Sequence, residues 1–166
     1  MKNLLFFSTI GMVFLSITFL GFKASPTTEI NSTEIKWYTF EEALAAQQKN
    51  DKKIFIDMYT DWCGWCKVMD KKTFTDPKVI QYMNDNFYAV KFNAEQKEAI
   101  IYKGKKYEFI PTGRRGVHRL AYELMDRSAS YPSFVLLDEN LNSLGIIKGY
   151  LTPDPFLKKL KNKVAM

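Results

Sequence analysis

The chain has 166 residues, with 24 lysines and arginines against 18 acids, a formal charge of +6, and 46% hydrophobic and 15% aromatic residues. That apolar and aromatic share excludes a disordered chain, and the length fits one domain behind a leader. The charge is mildly basic and no nucleic-acid recognition motif accompanies it, so a nucleic-acid partner is not expected, while two cysteines are too few for a disulfide-stapled scaffold.

The N-terminus reads as an address. Behind Lys2, residues 4–22 are almost wholly apolar, broken only by Ser8, Thr9, Ser16, Thr18 and two glycines. Residues 1–25 are therefore expected to be a signal peptide or an N-terminal membrane anchor. Either delivers the remainder across the inner membrane, into the periplasm or anchored facing it, where disulfide chemistry is permitted. Lys2 and Lys23 lie in this leader and no acid does, so the remainder carries +4. Residues 26–34 read as a polar linker, and residues 35–166 as the domain.

Within that domain, residues 35–38 form a short strand, and Thr39 with Glu42 makes a capping box that opens a helix to about Lys49. Residues 53–59 are a strand, apolar throughout except for Asp57 and the opening Lys53, as in a strand buried on both faces. A helix follows over residues 63–72. Asp76-Pro77 caps a short one over 78–83, because proline suits the first helical position. Residues 87–92 return as a strand. Gly104-Lys105 predicts a hairpin turn with glycine first, between 100–103 and 106–109. Residues 117–125 read as a helix, 133–137 and 145–150 as strands, and Thr152-Pro153-Asp154 opens a last helix that turns Phe156, Leu157, Leu160 and Val164 inward. The alternation gives an α/β fold with a central mixed sheet flanked by helices.

The candidate chemistry is Trp62-Cys63-Gly64-Trp65-Cys66-Lys67. Two residues separate the cysteines, so on a helix they share a face. A disulfide between them closes a very short loop and contributes little to stability, since chain-entropy stabilisation grows with loop length. Redox chemistry explains such a pair better than stapling. A structural zinc site needs two further ligands of the same kind, and the chain has one histidine, His118, set among Arg114, Arg115 and Arg119. It reads as a surface or packing residue; a soft-metal site on Cys63, Cys66 and His118 is the weaker alternative, and no metal is expected.

The run from Ile56 through Lys67 resembles the strand and active-site segment of the thioredoxin superfamily: an acid in the strand, a tryptophan before the first cysteine, a lysine after the second. Lys72-Thr73-Phe74-Thr75-Asp76-Pro77-Lys78-Val79 is similar to the C-terminal domain of envelope thiol:disulfide interchange reductases. The resemblance covers residues 35–95 and 128–164; residues 96–127 stand out as a basic insertion, before the strand that begins at a cis-proline. Thioredoxins carry Gly-Pro between the cysteines where this chain has Gly64-Trp65. Of two candidates for the family's cis-proline, Pro132 is preferred because Ser133-Phe134-Val135-Leu136-Leu137 follows it as a strand; Gly113-Arg114-Arg115-Gly116 follows Pro111, which is expected to be a trans loop proline.

The resemblance implies a thiol-disulfide oxidoreductase with no cofactor beyond the Cys63–Cys66 disulfide. Cys63, at a helix N-terminus that stabilises a thiolate, is the expected attacking thiol, and Cys66, one turn inward, resolves the mixed disulfide. Asp57, desolvated in its strand, is the expected proton acceptor. Trp62 and Trp65 form an apolar rim, with core packing the competing reading for Trp62, and Tyr131 and Pro132 offer backbone to a substrate. Lys67 and Asp61 are candidates for tuning the pair. The expected partners are protein disulfides or thiols and a membrane or envelope electron donor. No dimerisation domain is added, so a monomer is expected. Reduction is favoured over oxidation or isomerisation, and a binding or chaperone module with an incidental redox pair is the reading from another class. The insertion reads as a solvated face or as a dock for an acidic partner or membrane surface.

Overall fold

A computed structural model describes residues 32–165. The expected leader and the linker through residue 31 lie outside the described residues; residues 32–34 are exposed and belong to no helix or strand. Among the described residues no helix is long and apolar enough to cross a membrane.

Five strands form the central sheet in the order β1-β3-β2-β8-β9. Strands β1 (Trp37–Tyr38), β3 (Phe87–Asn93) and β2 (Lys53–Tyr59) run parallel, while β8 (Ser133–Leu137) and β9 (Ser143–Lys148) add antiparallel. Helix α1 (Phe40–Gln47) is opened by the expected capping box, with Thr39 Oγ1 accepting from the Glu42 N–H and Glu42 accepting from the Thr39 N–H. Helix α2 (Gly64–Lys72) follows β2. Helix α3 (Pro77–Asn86) starts at its proline under an Asp76 cap. It runs about one turn longer than the sequence suggests, and in that turn the Asn84 side chain accepts from the Lys36 N–H and donates to the Glu34 carbonyl, tying it to the segment before β1. Helix α5 (Pro153–Val164) closes the chain.

Alternation along β2 separates two cores. Ile54, Ile56 and Met58 face the core shared with Phe40 and Ala43 of α1, and Phe55 faces the core shared with α2, α3 and α5. There Phe55 stacks on Phe134 at 5.5 Å between ring centroids, and Phe74 and Phe156 meet both rings edge-on.

The insertion is two hairpins and a short helix: β4 (Ile100–Tyr102) with β5 (Lys105–Tyr107), β6 (Phe109–Thr112) with β7 (Arg115–His118), then α4 (Arg119–Leu124). Its Ile100, Tyr102, Tyr107, Leu120, Ala121 and Met125 complete the core on the α1 side. Three expectations are corrected here. The first turn is Lys103-Gly104, with φ of 49° and 72°, so glycine stands second rather than first. Tyr102 and Lys105 pair directly, which leaves two residues at positive φ, the primed geometry that suits strand twist. Val117 and His118 belong to β7, not to a helix, because they pair with Ile110 and Phe109. Pro111 likewise lies in strand β6 rather than a loop, facing Gly116.

Candidate redox site

Strand β2 ends at Tyr59, and a tight turn delivers Cys63 as the N-cap of α2, with its N–H donating to the Thr60 carbonyl at 3.0 Å. Cys63 and Cys66 are joined in a disulfide, with Cα atoms 5.3 Å apart. Cys63 Sγ also accepts from the Cys66 N–H at 3.1 Å, so the sulfur already sits against the helix's unpaired donors. Both cysteines are nearly buried, at 5% and 3% exposure.

The Tyr131-Pro132 peptide bond is cis. Ser133, next in the chain, pairs with Met58, so Pro132 lies at the sheet end from which the turn to Cys63 departs. The Tyr131 ring meets the Trp62 ring edge-on at 5.8 Å. Pro132 gives its carbonyl to the Gly149 N–H, whereas the backbone N–H and carbonyl of Tyr131 make no hydrogen bond among the described residues. Trp65 lies across the Tyr150 ring at 5.0 Å. Trp62 is 50% and Trp65 60% exposed, so the core-packing reading of Trp62 is corrected. The ring is held at the surface because its indole N–H donates to Glu95 at 3.0 Å.

Asp57 is the buried carboxyl of the site, 1% exposed, on the face of β2 that α2 covers. Lys91 pairs with it directly across the β2–β3 ladder and reaches Oδ2 at 2.6 Å. Oδ1 has no partner among the described residues. The same ammonium reaches Asp70 on α2 and lies over the Trp37, Phe74 and Tyr59 rings at 4.7–5.5 Å. Burial pushes the Asp57 carboxyl from an ordinary 3.8 up to about 6, against the pull of Lys91. Burial also works against the Lys91 ammonium, yet Asp57 and Asp70 together hold its pKa above the usual lysine value. A carboxyl so poised is ionised near neutrality and still able to take a proton.

The sequence reading missed Lys91 and Asp70. The signal for Lys91 was present, since it is the one charge in the buried run of β3, as Asp57 is in β2. Asp70 lies four residues beyond Cys66 on one helix face. The two residues named for tuning stand apart from this cluster: Lys67 is exposed, and Asp61 accepts from the Asn93 side chain at 3.3 Å. His118 is wholly buried rather than at the surface. Its Nδ1 accepts from the Leu120 N–H and its Nε2 meets the Glu98 carbonyl, so the ring is neutral with the proton on Nε2. Among the described residues no three His, Cys, Asp or Glu side chains come together as metal ligands.

The family model Thioredox_DsbH, described as a protein of unknown function, DUF255, matches residues 20–112. The chain belongs to this family. Among solved structures similar to this DUF255 chain, one described as DsbH oxidoreductase superposes with a TM-score of 0.59 at 17% identity, over 86% of this chain and 92% of that one. A thioredoxin from Thermus thermophilus superposes at 0.58 with 21% identity, over 78% and 86%. These likenesses establish the thioredoxin-like fold. The thiol:disulfide interchange protein DsbD of Campylobacter jejuni (strain RM1221) is 28% identical over 122 residues, which is 74% of this chain. The chain spans only 18% of that relative's length.

Proposed function

We propose that this chain is a thiol-disulfide oxidoreductase of the cell envelope that reduces disulfides in protein substrates. The observation that carries the reading is the Cys63–Cys66 disulfide capping α2, with buried Asp57 under the same helix and Tyr131 and Pro132 beside the preceding turn. In the reducing direction, the Cys63 thiolate attacks one sulfur of the substrate disulfide. A Cys63–substrate S–S bond forms, the substrate's own S–S bond breaks, and its second sulfur leaves and takes up a proton. Cys66 then gives its proton to Asp57 and attacks Cys63 Sγ, expelling the substrate's first sulfur as a thiolate, which takes up a proton from solvent while Asp57 returns its own to solvent. The substrate gains two electrons and two protons, and the cysteine pair is left oxidised. A thiol reductant of the membrane or envelope restores it by the reverse exchange.

Trp62, Trp65 and Tyr131 supply an apolar rim for the substrate chain, and the unused backbone groups of Tyr131 supply hydrogen bonds to an extended segment. The deciding experiment is the reduction potential of the full chain, read by the fluorescence of the two exposed tryptophans in equilibrium with dithiothreitol or glutathione. A potential near roughly −270 mV supports a reductant, and one near roughly −120 mV overturns that direction in favour of an oxidant. Failure to form a reversible disulfide overturns the enzyme reading and leaves a binding module.

A further inference from the structure

The cations of the insertion are not equivalent. Lys105 and Arg119 both pair with Glu123, and Lys106 pairs with Glu108. Arg114 and Arg115, at the tip of the β6–β7 hairpin, are exposed and have no carboxylate within 4.0 Å among the described residues. Arg115 instead places its guanidinium carbon 4.2 Å from the centroid of the Trp62 ring, the residue immediately before Cys63. A guanidinium over an indole is attracted to the ring's negative face. Its N–H donors point outward in the guanidinium plane, where they match a carboxylate in a two-point contact. The acids beside Cys63 do not fill that role: Glu95 receives the Trp62 indole N–H, and Asp61 receives the Asn93 amide.

The hairpin is fastened to the strands that carry the site. The His118 N–H donates to the Ala94 carbonyl at 2.7 Å, and the Ala94 N–H donates to Tyr59, the last residue of β2, at 2.8 Å. Next to Arg115, Gly116 leaves room for the Phe109 ring from the facing strand: a Cβ there would stand 2.1 Å from that ring and 2.5 Å from the Ile110 carbonyl. The hairpin that carries Arg115 is thus braced against the strands of the site, and its guanidinium rests on the ring of the residue before Cys63.

We infer that Arg115, with Arg114, is a specificity arm that selects polypeptide partners carrying a carboxylate side chain close to their reactive cysteine. The inference rests on the thiol-disulfide reading and adds the substrate class to it. The test uses the reduced full chain and three peptides with the same internal disulfide, differing at one neighbouring residue: glutamate, glutamine or lysine. The second-order rate of peptide reduction is expected to be about fivefold higher for the glutamate than for the glutamine peptide, the upper end for an exposed ion pair. The lysine peptide is expected to be slowest, and the spread should narrow at about 1 M salt, where such contacts are screened. In Arg115→Gln the glutamate-to-glutamine ratio should fall close to one, while Arg115→Lys, which keeps the charge but not the planar fork, should keep part of it. Because a ratio is read within each protein, a general loss of activity does not mimic the effect; should Arg115→Gln not fold, a glutamate-to-glutamine ratio in Arg115→Lys below that of the parent supports the inference and an unchanged one overturns it. Equal rates for all three peptides, or an unchanged ratio in Arg115→Gln, overturn the inference and leave the redox reading intact. Reduction of none of them overturns the redox reading itself, and this inference with it.

Discussion

Replacing Asp57 by asparagine is expected to stabilise the protein above pH 6 and to slow it as an enzyme. The carboxyl is buried and its pKa is raised from 3.8 to about 6. At about 1.4 kcal/mol for each tenfold change in proton affinity, this corresponds to about 3 kcal/mol. The sign follows from proton counting. Between pH 3.8 and about 6 the native state holds a proton that the unfolded chain has released, so stability falls as pH rises through this window. Below it the cost is absent; above it the whole cost is present. Asparagine keeps the shape but does not ionise. The difference in unfolding free energy between Asp57→Asn and the parent should therefore grow in the variant's favour by about 3 kcal/mol from acid to neutral pH. The pull of Lys91 on the ionised carboxylate is already contained in the pKa of about 6, so its loss in the variant adds no separate pH-dependent cost. Guanidinium unfolding of the oxidised proteins, followed by tryptophan fluorescence at a series of pH values, measures this slope. A difference that does not change with pH would refute the assignment of the cost to Asp57. The same variant should resolve mixed disulfides more slowly, and the limb of the rate profile near pH 6 should disappear with the carboxylate.

Three further outcomes follow from the site and its braces. Cys66→Ala should accumulate mixed disulfides with envelope proteins through Cys63, and Cys63→Ala should accumulate none; non-reducing gels read both, and adducts in neither variant would point to a binding module. Gly116→Ala should cost roughly 1–3 kcal/mol, the usual range for overpacking, because the added Cβ meets Phe109 and the Ile110 carbonyl; an unchanged unfolding midpoint would show that the hairpin yields freely. Burial holds the His118 pKa below 6.5, so its neutral-state cap on α4 is fully present above that pH and is lost as pH falls through the lowered native value. Amide exchange at Leu120, corrected for its intrinsic rate, should stay protected at pH 6.5, where a free imidazole is half protonated, and lose protection only at lower pH; protection already lost at pH 6.5 would contradict the lowered proton affinity.

The cluster of Asp57, Lys91 and Asp70 gives the site a polar spine beneath its apolar rim. The Lys91 ammonium joins a strand carboxylate to a helix carboxylate on the element that carries both cysteines. This is why substitutions at Lys91 or Asp70 are expected to move the proton affinity of Asp57 as well as stability.

Much of this was written locally. The 53–59 strand, the Thr39 and Asp76 caps and the proline-led last helix need only neighbours within a few residues, because strand alternation and helix capping are short-range effects. The spacing of Cys63 and Cys66 announced redox chemistry, and the strand after Pro132 distinguished it from Pro111. What the sequence could not determine depends on contacts between distant segments. Asp57 and Lys91 meet because β2 and β3 pair in a particular register, and register is set by the burial of whole strands rather than by either residue. Val117 and His118 read as helix by their own periodicity, but pairing with β6 and burial of His118 made them strand. Trp62 is as apolar as any core residue, and only the positions of Glu95, Tyr131 and Arg115 keep it at the surface beside Cys63. The chain by itself fixed which residues can do thiol chemistry; which charges stand around them was decided by tertiary packing, because charge pairing acts through space between segments that share no local pattern.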